Sequence, residues 1–283
     1  MKPRVMSLVL FTCMVGLIIA PNQVSYLNSV LSLIAVALGA GAAGTLNMWY
    51  ESDLDALMTR TCLRPIPTGQ VTKNQALFFG VLLSIGSVSL LYFSSNLMSA
   101  SLLLLTICFY FFIYTVWLKR RTPQNIVIGG AAGALPPVIG WTIATGSLSL
   151  EPLILFLIIF LWTPSHFWAL SIYKSNDYKK AKIPMLPIIY GIEKTKKNIF
   201  IYSLLMLPTI SAPYYMSFLS KIYFYPSLAL TIYYIYLCGT LLKVKKSKEV
   251  NSLARKIFLY SIFYLFVIFL LILSDHFLMR FYG

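Results

Sequence analysis

Apolar residues run along the chain in long blocks separated by short polar stretches, at roughly 5–20, 27–46, 75–93, 97–118, 125–144, 151–172, 198–216, 221–242 and 257–279. Each block is close to the ~20 residues that carry a helix across a hydrocarbon core, where a helix satisfies its own backbone polar groups. The pattern therefore predicts an all-α, polytopic membrane protein built as a bundle of nine transmembrane helices. Internal prolines (Pro136, Pro137, Pro208, Pro213) soften the bounds of the fifth and seventh helices. The first block follows "MKPR" and runs into "APNQVSY" without a small-x-small cleavage pattern, so it reads as the first span and not as a leader.

The polar stretches set the orientation. Of 23 Lys and Arg residues, only Lys221 and Arg280 fall on the side opposite the N-terminus when nine spans are threaded through a bilayer. By the excess of basic residues in cytoplasmic loops, the N-terminus is expected inside and the C-terminus outside. The longest inner loops, about 47–74 and 173–197, are too short to fold alone, so residues 1–283 are expected to form a single integral-membrane domain. The two loops follow helices two and six, which hints at a repeated four-helix unit with a ninth helix added.

Composition agrees with this picture. Hydrophobic residues make up 59% of the chain and charged residues 11%, against about 25% charged in soluble proteins. The net charge of +15 sits in short loops beside the spans, where anionic lipid and insertion bias account for it, and no nucleic-acid partner is expected. Cys13, Cys108 and Cys238 lie inside apolar blocks and Cys62 in an inner loop, a distribution that suggests packing and neither a disulfide nor a metal cluster.

Three of the eight carboxylates fall within "NMWYESDLDALMTRTCLRPIPTG", residues 47–69. Asn47, Glu51 and Asp55 stand at i, i+4 and i+8, which places them along one ridge of a helix about 12 Å long, while Asp53 points elsewhere. Clustered acids beside a membrane are costly unless a cation compensates them. An oxygen-rich set suits Mg²⁺, which takes one or two carboxylates and leaves room for substrate phosphates. Arg60 and Arg64 follow closely, and "WLKRRTPQN" adds Lys119, Arg120, Arg121 and Asn125 on the same side, as a metal-diphosphate site requires. The same residues also suit a solvated loop of ordinary ion pairs, or the cation site of a transporter.

In "LWTPSHFWALSIYKSNDYKKAKIPMLP", His166, Tyr173 and Asp177 fall close to one line if the helix is continuous, ending at the same membrane face as the acidic ridge. A histidine inside a span is a candidate for chemistry, although it also serves simply to bond a neighbouring carbonyl. His276, near the outer end of the last block, reads as interfacial. "NIVIGGAAGALPPVIGW" permits close backbone approach around Gly129, Gly130 and Gly133, either for tight packing or to make room for a bulky ligand.

At these residues the chain resembles the UbiA superfamily of intramembrane aromatic prenyltransferases, whose first acidic motif is Asn, then Asp or Glu four later, then Asp four later. "MTRTCLRP", "WLKRRTPQNIVIGGAAGALPPVIGW", "WTPSHFWALSIYKSNDY" and "AKIPMLP" are similar to the protoheme IX farnesyltransferase branch of that superfamily. The resemblance covers nearly the whole chain. It implies a nine-helix bundle in the bacterial inner membrane, with a cavity opening toward the cytoplasm. It implies transfer of the farnesyl group of farnesyl diphosphate to the 2-vinyl group of heme B, with water addition, giving heme O for an oxidase assembly or a downstream heme A synthase.

Carried onto this sequence, the resemblance assigns Asn47, Glu51, Asp55 and Asp177 to one or two Mg²⁺ ions. Arg60, Arg64, Lys119, Arg120, Asn125 and Tyr173 fall to substrate binding, and His166 to a place beside heme. The superfamily's second motif, Tyr then Asp four later then Asp four later, is matched by Tyr173 and Asp177. Its last position here is Ala181, which leaves fewer ligands for a second ion.

Overall fold

The computed structural model describes residues 3–282 except Arg60, with side chains from Met6 to Arg280 under the same exception. The described residues form helices and turns with no strand. In chain order the helices are α1 (Pro3–Ile18), α2 (Tyr26–Tyr50), α3 (Ser52–Leu57), α4 (Lys73–Ser94), α5 (Leu97–Cys108), α6 (Asn125–Ala134), α7 (Pro136–Thr145), α8 (Leu150–Tyr173), α9 (Ser175–Lys180), α10 (Leu186–Ile189), α11 (Gly191–Tyr215), α12 (Lys221–Lys243) and α13 (Ser247–Tyr282). A π-helix over Phe109–Leu118 prolongs α5.

Among the described residues, seven helical segments are long and apolar enough to cross a bilayer: Tyr26–Tyr50, Lys73–Ser94, Leu97–Leu118, Asn125–Thr145, Leu150–Tyr173, Lys221–Lys243 and Ser247–Arg280. The other two expected spans are helical too, yet differ from that standard. The apolar part of α1, Met6–Ile18, is short. Helix α11 begins seven residues before its apolar block and takes in Glu193, Lys194, Lys196 and Lys197. Lys196 is fully buried, donating to Glu193 Oε1 at 2.7 Å and to the Val244 carbonyl at 2.7 Å. That second bond ties the foot of α11 to the C-terminal end of α12, where a cation also meets the negative end of the helix dipole.

Lipid tails are as apolar as leucine, so close packing and interhelical hydrogen bonds hold such a bundle together. Ser32 and Ser94 hydroxyls meet at 2.9 Å between α2 and α4, Ser165 and Tyr234 at 2.7 Å between α8 and α12, and Thr231 and Tyr264 at 2.9 Å between α12 and α13. Small residues let backbones touch. A Cβ on Gly140 of α7 would lie 1.9 Å from the Cys13 carbonyl oxygen of α1, and one on Gly16 would lie 2.1 Å from the Pro137 oxygen. Asp275 of α13 accepts the Ser220 and Tyr223 amides at 2.9 and 3.1 Å, so it caps α12 from a distant part of the chain.

The fifth predicted span is broken at Leu135, because Pro136 and Pro137 start a new helix. Gly129 and Gly130 serve packing: their Cβ positions are filled by the Tyr114 ring at 2.2 Å and by Thr163 at 2.9 Å. Gly133 faces open space.

The two loops expected on the inner side are partly helical and pack on each other. Met58, Ile126, Tyr178, Ala181, Ile183 and Met185 form one buried apolar cluster between them. Ala181 is 3% exposed within it. A carboxylate at this position would be buried among apolar side chains at considerable cost, which accounts physically for an alanine where the superfamily's second motif ends in aspartate.

Candidate active site

Helix α2 ends at Tyr50 and Glu51 turns the chain into α3, but the helical hydrogen-bond pattern runs on through the junction. The Glu51 amide donates to the Asn47 carbonyl at 3.0 Å and the Asp55 amide to the Glu51 carbonyl at 2.8 Å. Asn47, Glu51 and Asp55 therefore stay in register along one ridge. All three are buried.

Each acid of this stretch meets a different cation. Glu51 Oε2 accepts from Lys119 Nζ at 2.5 Å and from Asn47 Nδ2 at 2.8 Å. Arg64 Nη1 reaches both oxygens of Asp55, at 2.8 and 2.6 Å. Asp53, on another side of α3 as its spacing predicts, takes a two-point contact from Arg120 at 3.1 and 2.9 Å, and that guanidinium also lies 5.2 Å from the Tyr50 ring centroid. Partial burial would raise the Asp53 carboxyl, but the hydrogen bond and charge of Arg120 with backbone donors at Leu54 and Asp53 hold it below its usual range.

The π-helix supplies the far wall. Thr115 Oγ1 donates to the Tyr110 carbonyl, five residues back, at 2.8 Å, so it accepts from Asn47 Nδ2 at 3.0 Å. Lys119 follows four residues later, with Nζ 5.9 Å from the Tyr114 ring centroid. Thr115 is a site residue the sequence reading lacked. Its one sequence signal is the position four residues before Lys119, and the wide π turn that aligns the two is not legible from composition.

The second acidic element departs from expectation. Helix α8 stops at Tyr173, Lys174 breaks it with φ −107° and ψ 27°, and Asp177 sits in the separate helix α9. The expected line of His166, Tyr173 and Asp177 is therefore interrupted. Asp177 is bonded by Thr59 Oγ1 of the first inner loop at 3.2 Å and has no ion pair among the described residues. Asn125 heads α6, its Nδ2 donating to the Thr122 carbonyl at 2.5 Å while its buried Oδ1 has no partner. Arg60 lies outside the described residues.

His166 belongs to a different seam. Its ring stacks on Trp162 at 4.2 Å and lies tilted against Phe258 of α13 at 4.8 Å, and Nδ1 lies 2.6 Å from Ser261 Oγ. The Ser261 hydroxyl donates to the Phe258 carbonyl at 2.7 Å. With its proton spent there, it accepts from Nδ1–H, which leaves the imidazole lone pair on Nε2, the nitrogen available to a metal.

Among the described residues, no three His, Cys, Asp or Glu side chains converge as a ready metal site. One donor is nevertheless open: Glu51 Oε1 is buried with no hydrogen-bond partner. A buried carboxylate oxygen without a donor is expensive to leave bare. Its environment fits a hard divalent cation that draws one or two carboxylates from the protein and completes its shell with phosphate oxygens and water.

The sequence pattern of the UbiA prenyltransferase family matches residues 9–273. A relative named protoheme IX farnesyltransferase from Pelagibacter ubique strain HTCC1062 is 66% identical over 275 residues, covering 97% of this chain and 91% of that one. One of the same name from Parvibaculum lavamentivorans is 48% identical over 275 residues, covering 97% and 86%. Among solved structures, a digeranylgeranylglyceryl phosphate synthase in membranes superposes with TM-score 0.79 at 20% identity over 95% of this chain and 92% of that one. A UbiA homolog from Archaeoglobus fulgidus bound to DMAPP and Mg²⁺ superposes with TM-score 0.68 at 16% identity over 93% and 96%. These structures share the fold.

Proposed function

The chain belongs to the UbiA prenyltransferase family, and from that premise we propose that it transfers the farnesyl group of farnesyl diphosphate to the 2-vinyl group of heme B, with addition of water, giving heme O and diphosphate. The observation that carries this reading is the near-complete match to proteins named protoheme IX farnesyltransferase. The whole chain acts as one domain in the bacterial inner membrane, N-terminus inside and active site toward the cytoplasm. That orientation is supported by a described inner loop region rich in Lys and Arg, where the acids of α3 also lie.

Diphosphate leaves carbon only when its developing charge is neutralised. Mg²⁺, one ion or two, would be held by Asn47, Glu51 and Asp55, with Asp177 entering for a second, and supplies Lewis-acid neutralisation of the diphosphate oxygens when bound. The A. fulgidus UbiA homolog bound to DMAPP and Mg²⁺ supports this requirement.

The chain's own cations do the rest. Lys119 spends one of three N–H donors on Glu51, and Arg64 contacts Asp55 through Nη1 alone, so both keep donors for diphosphate oxygens. Arg120 and Asn125 border the same site, and Arg60 is assigned to it from the sequence alone. The allylic cation released there is attacked by the electron-rich vinyl group of heme. Apolar surroundings keep bulk water from capturing it first, and a single water then adds to the cation formed beside the porphyrin.

His166 is proposed to hold heme through Nε2 on the iron. Adding heme B to the purified protein tests both acceptor and ligand: the wild type is expected to change the heme absorption spectrum, and His166→Ala to leave bound heme with a different one. Identical spectra would remove the ligation, and no binding of heme by the wild type would overturn the acceptor.

A further inference from the structure

Tyr173, half-buried at the inner end of α8, has two cations against its ring. Lys174 Nζ lies 4.9 Å and the Arg255 guanidinium carbon 5.8 Å from the ring centroid. Neither cation has a carboxylate within ion-pair distance among the described residues, where every ion pair uses a different base. Two positive charges are thus gathered at one aromatic ring without a carboxylate partner among the described residues. Such a pair is an anion receptor waiting for its anion.

Its position ties it to His166. On α13, Arg255 precedes Phe258 by three residues, about 60° round the helix, and both meet α8, Arg255 at Tyr173 and Phe258 at His166. The Phe258 ring lies tilted against that of His166 and Ser261 bonds its Nδ1, so the helix that fixes the imidazole also carries Arg255, about 9 Å along its axis from Ser261. On α8, His166 and Tyr173 are seven residues apart, about 10 Å along the axis. Iron and propionate carboxylates of a heme are separated by a comparable span.

We propose that Arg255 and Lys174 receive the two propionates of heme B while His166 faces its iron. This assignment rests on the reading of heme B as acceptor. Heme is an apolar disk with both carboxylates on one edge. In a membrane that edge belongs at the aqueous boundary, where the guanidinium can take one carboxylate in two-point fashion and the ammonium the other. Holding an edge as well as the iron removes rotation of the disk about its iron axis, so the pair controls which substituents are turned toward the diphosphate site.

The test compares ligands as well as variants. The full-length purified protein is titrated spectroscopically with heme B and with its dimethyl ester, which keeps the disk and the iron but lacks the carboxylates. Wild type is expected to prefer heme B by about tenfold or more, the scale of one charge-assisted contact. Arg255→Gln and Lys174→Gln should weaken heme B toward the ester's affinity and leave the ester's own affinity unchanged. Lys256→Gln, one residue on and about 100° round the helix, should alter neither. If the double variant still prefers the acid as the wild type does, or loses both ligands equally, the assignment is overturned. If the wild type binds neither, the acceptor reading fails first and this assignment falls with it.

Discussion

Replacing Glu51 with Gln is expected to abolish heme O formation to within detection, a loss of about 10³-fold or more in turnover, while the protein still accumulates and folds. The change keeps the size and shape of the side chain and removes its charge. In the structure Glu51 is 1% exposed, its Oε2 is shared by Lys119 and Asn47, and its Oε1 has no partner. Glutamine would place an amide NH₂ at one of these positions. An NH₂ on the open side repels a cation, and one on the other faces the Lys119 ammonium. Lys119 would also lose the carboxylate that positions it. The assay is turnover against protein level and thermal midpoint in detergent, measured on the same preparation; turnover within tenfold of wild type would remove Glu51 from the site.

Gly140→Val should have the largest effect on stability, about 3 kcal/mol or more. The added Cβ would stand 1.9 Å from the Cys13 carbonyl oxygen and 2.9 Å from both the Cys13 carbonyl carbon and the Leu17 amide nitrogen. These are backbone atoms of α1, so no side chain can turn aside, and α1 must part from α7. The reciprocal contact of Gly16 with Pro137 would be lost with it. Gly86, whose Cβ position is open, is the control: Gly86→Ala should leave stability unchanged or raise it by up to about 1 kcal/mol. Thermal unfolding in detergent separates the two, and a Gly140→Val midpoint equal to wild type would show that the α1–α7 contact is not what holds the first helix in place.

The apolar blocks were legible because a span of fixed thickness forces a long hydrophobic run, and each predicted block is largely helical, the fifth as two helices broken at Leu135. The ends were not legible. Helix α13 starts at Ser247, ten residues before its apolar block, since Lys248, Glu249, Arg255 and Lys256 extend it beyond the membrane and charge alone resembles a loop. The Asn47–Glu51–Asp55 ridge was readable from a four-residue period. The break at Lys174 was missed because the spacing of His166, Tyr173 and Asp177 reads as one helix past Ser175, Asn176 and Asp177, three residues that favour caps and turns; beyond the break Tyr178 and Ala181 pack in the buried cluster with Met58 and Ile126. Phe258 and Ser261 carried no sequence signal, and Thr115 only its place four residues before Lys119. They join the candidate site only through contacts made across 68 to 95 residues of chain.

The proposed reaction is open to direct assay. Purified protein in lipid, supplied with heme B and farnesyl diphosphate, is assayed by chromatography and mass spectrometry of the extracted hemes, with and without Mg²⁺. A product of the mass of heme O, formed with Mg²⁺ and lost on chelation, is the predicted result. Folded protein that binds heme yet leaves both substrates unchanged would contradict the account and leave a non-catalytic heme-binding role in its place.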